Sequence, residues 1–198
     1  GIDTYGNISS VSRSDVNIIA VVNPTTEKIL LVSIPRDYYV QLHGTTGVKD
    51  KLTHAGIYGI DMSVNTLEDL LDEDIDYYLR LNFSTLTKSI DLIGGIDVYS
   101  DKTFTSYVNK NITITEGMNH MNGEEALAFA RERHAYSTGD RHRGENQQAI
   151  ITAMINKLAD VSNITKYKDI LSSLDGTFET SMSYEELTNL FKLQIDKK

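Results

Sequence analysis

The chain has 198 residues, a formal net charge of −9 and no cysteine; 40% of its residues are hydrophobic and 24% are charged. This composition is typical of a globular protein, and the missing cysteine excludes disulfides, thiolate metal sites and a cysteine nucleophile. The acidic balance argues against nucleic acid as a partner, because duplex binders usually present a broad basic face.

The first predicted elements are two β-strands, over 16–22 and 28–34. Both runs are nearly continuous in apolar residues, which is typical of strands covered on both faces. The intervening NPTT is a turn signal, and Pro35 ends the second strand because it has no N–H for the ladder. The pattern predicts a hairpin that leaves Arg36 and Asp37 at the carboxyl end of its second strand.

Strands and helices alternate along the rest of the chain. The predicted elements are helices over 61–71, 84–93, 122–131 and 146–159, a last helix opened by Ser183 with Glu186 in a capping box, and strands over 76–83, 96–100 and 112–115. This alternation predicts a single α/β domain with three layers, in which helices cover both faces of a mixed central β-sheet.

One short stretch, RERHAYSTGDRHRGENQQ over 131–148, holds four of the seven arginines of this acidic chain. Arg131 and Arg133 are two residues apart, so they share a side only if a helix ends near Arg131 and the chain continues extended. Two interpretations stay open at this point. The arginines either bind a small, highly charged anion or form a solvated basic loop that pairs with surplus carboxylates.

The helix that follows this stretch combines polar and apolar features on one face. Asp140 is predicted as its N-cap, and Arg143 and Gln147 are four residues apart, on the same side. A helix N-terminus favours anions, and arginine binds phosphate oxygens in pairs, so the arrangement indicates a diphosphate site. The same face continues as an apolar stripe formed by Ile150, Ile151 and Met154. This stripe either lines a lipid pocket or is ordinary core packing.

Three aspartates lie next to the two predicted strands of the hairpin. Asp3 and Asp15 precede the first strand, and Asp37 follows the second. Hard cations such as Mg²⁺ bind oxygen ligands, often one or two carboxylates together with substrate phosphates. These residues are therefore candidate Mg²⁺ ligands, and the alternative is that they are loop and cap residues.

Five motifs in order resemble the LytR-CpsA-Psr family of bacterial cell-envelope proteins: SRSD, SIPRD, KLTHA, LIGGIDV and the arginine-rich stretch. The resemblance covers nearly the whole chain, 1–198, as a catalytic domain, and is strongest to streptococcal capsule-associated members. It implies an α/β fold with a hydrophobic pocket for a polyprenyl chain. It also implies a domain on the extracellular face of the cytoplasmic membrane, held by a single N-terminal membrane helix outside this sequence.

The resemblance further implies a phosphotransferase that moves a capsule or teichoic-acid type glycopolymer from a polyprenyl diphosphate carrier to peptidoglycan, with Mg²⁺-dependent prenyl-diphosphate hydrolysis as a side activity. By the resemblance, the catalytic residues would be Arg36, Asp15, Arg131 and Arg133. The phosphate ligands would be Arg36, Arg131, Arg133, Arg143 and Gln147. Asp140 would orient an arginine, while Asp3 and Asp15 would hold Mg²⁺. The lipid pocket would include Ile150, Ile151 and Met154.

The chain departs from the family pattern at two described motifs. Asn146 stands where many members have arginine, and Thr53 stands where many have asparagine. Two other functions remain open beside the transferase, namely a non-catalytic polyprenyl-phosphate binder or sensor and a transcriptional regulator. The negative net charge and the lack of a basic recognition helix count against the regulator.

Overall fold

The computed structural model describes most of the chain, namely residues 1–2, 4–5, 7–26, 28–159, 170, 172–174 and 177–187. In chain order the described elements are β1 (Asn17–Asn23), β2 (Lys28–Ile34), β3 (Tyr39–Val40), β4 (Asp50–Lys51), a 3-10 helix (Leu52–Tyr58), α1 (Ile60–Leu71), β5 (Leu79–Arg80), α2 (Phe83–Leu92), β6 (Ile96–Ser100), β7 (Phe104–Thr105), β8 (Thr113–Ile114), β9 (Gly117–Met121), α3 (Gly123–Arg131), α4 (Asp140–Ala159) and β10 (Glu179–Thr180). The chain divides into two compact units, Gly1–Ser84 with Gly176–Leu187, and Thr85–Asp175 with Thr188–Lys198. No helix in the described part is long and apolar enough to cross a membrane.

The predicted α/β class is confirmed, while the strand pairing differs from a single mixed sheet. Each described strand pairs with one other and always antiparallel, as β1–β2, β3–β4, β5–β10, β6–β9 and β7–β8. A strand–helix–strand order, as in β5–α2–β6, suggested parallel neighbours. Local patterns cannot identify a partner far along the chain, and both strands pair instead with strands that follow later.

The hairpin of the first unit forms within one residue of its predicted bounds. Its turn is fixed by Asn23, whose side-chain oxygen accepts hydrogen bonds from the backbone N–H groups of Thr25 and Thr26, each at 3.0 Å. The expectation that both faces are covered is wrong. Val21 and Leu30 face each other across the ladder and are 52% and 61% exposed. At the base of the hairpin, Ile19 and Ile34 pack against the core.

The core of the first unit forms where the 3-10 helix and α1 meet the short β3–β4 pair. The buried side chains are those of Val40, Leu42, Leu52, Ala55 and Leu67. The base of the hairpin adds Ile19 and Ile34 to this cluster. Since β2 ends at Ile34, this packing fixes the position from which the chain continues into Arg36.

The second unit is built around α2, the β6–β9 ladder and the helices α3 and α4. Its core consists of Ile90, Ile96, Val98, Phe104, Ile114, Met121, Ala126, Phe129, Ala130 and Ile150. Helix α2 ends at the predicted Gly94-Gly95 pair, where both glycines have positive φ. Helix α3 begins with a capping box between Asn122 and Glu125. A Cβ at Gly123 would lie 2.2 Å from the Thr87 carbonyl oxygen, so only glycine permits this close start of α3 against α2.

The predicted capping box near the end of the chain is also confirmed. The Ser183 N–H donates to Glu186 at 2.7 Å, and the Glu186 N–H donates to the Ser183 hydroxyl at 3.2 Å. The single turn over 184–187 belongs to the first unit, and the predicted continuation of this helix lies outside the described residues.

Candidate functional site

In the first unit, Asp15 and Arg36 form an ion pair at the carboxyl end of β2. Arg36 Nη1 lies 2.8 Å from Asp15 Oδ2, and the two side chains are 25% and 17% exposed. Thr53 donates its hydroxyl to Asp15 Oδ1 at 3.1 Å, and its N–H donates to the Arg36 carbonyl at 2.8 Å. The structure therefore brings two predicted catalytic residues together. Thr53, at a position where many family members have asparagine, forms hydrogen bonds with both of them.

A second acidic residue lies beside the same guanidinium group. Asp37 Oδ2 is 3.6 Å from Arg36 Nε, and Asp37 Oδ1 accepts a hydrogen bond from Lys51 Nζ at 2.7 Å. Arg36 Nε is buried and has no hydrogen-bond partner among the described residues. A buried donor without an acceptor is unfavourable, so the geometry leaves Arg36 with an unused donor for a further acceptor.

In the second unit, α3 ends at Arg131, and Glu132 has extended backbone angles of φ −69° and ψ 133°. This is the conformation that the sequence required for Arg131 and Arg133 to share a side, and it is confirmed. Arg133 is exposed, and its Nε lies 3.4 Å from His134 Nε2. Arg131 is thus the last residue of α3, and Arg133 follows it after one residue of extended backbone.

Glu132, between these arginines, is a residue that sequence reasoning missed. It is 2% exposed, and backbone N–H groups surround its carboxylate. Oε1 accepts from Arg133, His134 and Ala135 at 3.0, 2.7 and 3.1 Å, while Oε2 accepts from Tyr107 at 2.9 Å. Burial raises the pKa of this carboxyl, but the four amide hydrogen bonds outweigh burial and hold the pKa below its ordinary value. Glu132 is therefore ionised at neutral pH.

Helix α4 begins six residues before the predicted start at 146, and the predicted N-cap differs from the observed one by one residue. The helix begins at Asp140, so Asp140 lies in the first turn and is not the N-cap. Gly139, with φ +49°, precedes the helix, and its carbonyl accepts the Arg143 N–H at 3.1 Å. Glycine adopts this left-handed conformation easily. The helix can therefore start at Asp140 itself, one residue before the start that an N-cap at Asp140 would give. Asp140 Oδ1 is 3.6 Å from Arg143 Nη1, which is the acid–arginine contact that the sequence predicted.

Two amide side chains of α4 bind the end of α3. Asn146 is 3% exposed, and its Nδ2 donates to the Phe129 carbonyl at 3.1 Å. Gln147 Nε2 donates to the Ala130 carbonyl at 3.4 Å. The last carbonyls of a helix lack partners within the helix, so these contacts cap α3 and fix the place where Arg131 emerges. The predicted role of Gln147 as a phosphate ligand stays a prediction. Asn146, at the position of the missing family arginine, is buried in this contact.

The apolar stripe of α4 divides between the core and a second face. Ile150 is 2% exposed and belongs to the core of the second unit, against which Met154 also packs. Ile151 is half-buried and is not part of the core cluster that the described residues define. Ordinary packing therefore accounts for Ile150 and Met154, whereas the lipid-pocket prediction rests chiefly on Ile151.

Of the two predicted Mg²⁺ ligands, Asp3 lies outside the described residues, and Asp15 is partly exposed. Each oxygen of Asp15 accepts one hydrogen bond within the protein, from Arg36 or Thr53. A carboxylate oxygen can accept a second interaction, so Asp15 can still bind a cation. The described residues contain no group of three or more His, Cys, Asp or Glu that could hold a metal. The carboxylates therefore fit Mg²⁺ only if substrate phosphates supply the remaining ligands.

Comparison with known proteins agrees with this arrangement of motifs. The LytR_cpsA_psr family model matches residues 1–197, and the chain belongs to this family. One relative, the polyisoprenyl-teichoic acid–peptidoglycan teichoic acid transferase TagU of Bacillus cereus, is 34% identical over 193 residues, which are 97% of this chain and 62% of TagU. The chain thus spans about three fifths of the length of the curated relatives it matches.

Solved structures show the same fold. The crystal structure of TagV from B. subtilis is 34% identical, with a TM-score of 0.86 over 100% of this chain and 78% of TagV. TagT bound to LIIa-WTA is 28% identical, with a TM-score of 0.83 over 98% of this chain and 72% of TagT. These neighbours support the α/β class over the full length of the sequence.

Proposed function

We propose that this chain is the catalytic domain of a phosphotransferase that moves a glycopolymer from a polyprenyl diphosphate carrier to peptidoglycan. The observation that supports the proposal is the end of α3 at Arg131 followed by extended backbone at Glu132, which is the conformation that Arg131 and Arg133 need in order to share a side. The relatives named as teichoic acid transferases, and TagT with its bound ligand, support the same substrate class. A capsule polysaccharide and a teichoic acid are both glycopolymers that this chemistry would accept.

The reaction breaks a phosphoanhydride bond and forms a phosphate ester bond. A hydroxyl oxygen of peptidoglycan attacks the phosphorus nearer the glycan, the bridging P–O bond breaks, and polyprenyl phosphate leaves with the bridging oxygen. The hydroxyl proton passes to a base, for which Asp15 and Asp37 are the candidates. In the second unit, Arg131 and Arg133 bind phosphate oxygens and stabilise the negative charge that shifts to the leaving phosphate, and Arg36 of the first unit remains a predicted phosphate ligand. Arg143, oriented by Asp140, and Gln147 complete the phosphate ligands.

Mg²⁺ would be held by Asp15, together with Asp3, and would supply charge neutralisation at the diphosphate. Asp15 has a second task that needs no cation, since it holds Arg36 at 2.8 Å. Hydrolysis of a prenyl diphosphate would follow as a side activity when water replaces the sugar hydroxyl. Because the carrier is a membrane lipid and peptidoglycan lies outside the membrane, the domain would act at the extracellular face, held there by an N-terminal anchor.

The proposed function predicts that the protein transfers the glycopolymer, and binding of the lipid carrier alone would not be enough to support it. The purified chain, given Mg²⁺ and a lipid-linked glycopolymer, should transfer the polymer to peptidoglycan and release polyprenyl phosphate. The transfer is measured by mass spectrometry of the released lipid and of the digested glycan. Tight binding of the lipid without product, on folded protein with Mg²⁺ and acceptor present, would contradict the transferase and support a polyprenyl-phosphate sensor.

A long lipid should depend on Ile151 more than a short one does. We expect Ile151→Trp to weaken binding of a long prenyl phosphate, because losing contact with about three methylenes costs about 2.4 kcal/mol at about 0.8 kcal/mol each. The measurement is the Kd of a long and a short prenyl phosphate. Thr152→Trp is the matched control, because Thr152 is exposed on the same helix. Equal weakening of both lipids by Ile151→Trp would show that Ile151 is not part of the pocket.

A further inference from the structure

Glu132 is a buried anion within the arginine-rich stretch, and the groups that bind its carboxylate are unusual for a glutamate between two arginines. A carboxylate between two arginines would ordinarily form ion pairs with them. Here the four recorded hydrogen bonds of the Glu132 carboxylate come from backbone N–H groups. Removing an anion from water is costly unless hydrogen bonds replace the lost hydration, and these four bonds do so. Backbone N–H groups thus stabilise the carboxylate.

The same four bonds fix the shape of the backbone. Three consecutive N–H groups, of Arg133, His134 and Ala135, converge on the single oxygen Oε1. The other oxygen binds the N–H of Tyr107, in the connection between β7 and β8. The carboxylate therefore closes the turn after α3 and also attaches that turn to a different part of the second unit.

Other contacts hold the same segment from its two ends. The Tyr107 and His134 rings lie 4.0 Å apart, and Lys102 Nζ donates to the Ala135 carbonyl at 2.6 Å. On the other side, Asn146 and Gln147 bind the last carbonyls of α3. With both ends fixed, the extended backbone at Glu132 decides where the chain directs Arg131 and Arg133.

We infer that Glu132 is a positioning residue, which holds Arg131 and Arg133 in the geometry that binds the diphosphate. The inference rests on the proposed function, since it needs those arginines to be phosphate ligands. Glu132 itself is not a candidate base, because it is 2% exposed and both its oxygens already accept hydrogen bonds. Its role is to act through the backbone of its neighbours.

The test is a double-mutant cycle between Glu132→Gln and Arg133→Ala, with the Kd for farnesyl diphosphate as the readout. Glutamine keeps the size of the side chain but replaces one acceptor oxygen with an NH₂ group. We expect Glu132→Gln to raise the Kd about tenfold, and to raise it only about threefold when Arg133 is already alanine, because Arg131 alone then remains to be positioned and residues that act as a unit are non-additive. Hydrogen exchange at the N–H groups of 107 or 133–135 should quicken at least about tenfold, as loss of a charge-assisted hydrogen bond implies. Glu116→Gln, an exposed carboxylate in the same unit, is the matched control and should change neither quantity.

A purely structural role predicts a different pattern. In that case Glu132→Gln would lower the melting temperature but leave the Kd of the folded protein within about twofold, or its effect would add to that of Arg133→Ala. Either result overturns the inference. If Glu132→Gln does not fold, Glu132→Asp serves in the same cycle, because it keeps the charge but is too short to reach all four N–H groups. Failure of the wild-type protein to bind farnesyl diphosphate would instead overturn the proposed function, and this inference with it.

Discussion

Replacing Arg133 by alanine should lower prenyl-diphosphate turnover about tenfold to hundredfold while the second unit stays folded, because one charge-assisted phosphate contact is worth about 1.5–3 kcal/mol. Arg133 is exposed, so its loss removes little packing. Replacing Arg131 as well should abolish measurable turnover. The assay follows release of the phosphate product, with near-UV circular dichroism as the check on folding.

The sharpest control for this prediction is Arg141→Ala. Arg141 belongs to the same arginine-rich stretch, but its side chain is 82% exposed and pairs with Glu145 at 3.3 Å. Arg141→Ala changes the net charge by the same amount as Arg133→Ala but does not replace a predicted phosphate ligand. If Arg141→Ala costs as much turnover as Arg133→Ala, the arginines act only through general electrostatic attraction. Wild-type turnover in Arg131→Ala and Arg133→Ala would remove both residues from the site.

Elements governed by neighbours in sequence could be predicted closely. Helix α3 was expected over 122–131 and is observed at Gly123–Arg131, because Asn122 and Glu125 supply a local start signal. Strand β6 was expected over 96–100 and has those bounds. The extended backbone at Glu132 meets the condition that the spacing of Arg131 and Arg133 set for the two to share a side. For α3 the deciding contacts lie within a few residues, whereas β6 follows from its alternating apolar residues, which are buried on one face.

Features that depend on distant partners escaped the sequence. A strand was expected over 76–83, but only Leu79–Arg80 pairs, because its partner β10 is two residues long and lies about a hundred residues later. Glu132 is the clearest example at the site, since the N–H of Tyr107 comes from 25 residues earlier. A buried glutamate has no signature of its own in a sequence rich in acids. The only hint was a carboxylate placed between two arginines.

Asn146 shows how a departure from the family pattern can be structural. The sequence suggested that a missing arginine weakens phosphate binding. In the structure the buried Asn146 amide instead caps the Phe129 carbonyl at the end of α3. An amide is well suited to that contact, because it donates to a carbonyl without bringing a charge into the interior. The asparagine therefore serves the placement of Arg131 at the end of α3.

Replacing Asp15 by asparagine should raise the Mg²⁺ concentration for half-maximal turnover at least about tenfold, which corresponds to about 1.4 kcal/mol of lost cation binding. Asp15 offers a partly exposed carboxylate, and asparagine removes its charge while keeping its size. Turnover at low Mg²⁺ should then fall most, and chelation with EDTA should stop turnover in the wild-type protein. Asp69→Asn is the matched control, because Asp69 is an exposed aspartate of the first unit that pairs with His43.

Comparison with Arg36→Ala separates the two tasks of Asp15. If Asp15 serves only to hold Arg36, both variants should lose similar turnover, and neither should shift the Mg²⁺ dependence. If Asp15 also binds the cation, Asp15→Asn shifts that dependence, whereas Arg36→Ala lowers the maximal rate and leaves the Mg²⁺ dependence unchanged or improved, since the competing guanidinium is gone. Arg36→Ala also leaves a partly buried carboxylate without its partner, so its stability should fall by about 1–3 kcal/mol, measured by urea unfolding. Turnover that persists after exhaustive chelation would remove the metal from the mechanism and leave Asp15 as the residue that orients Arg36.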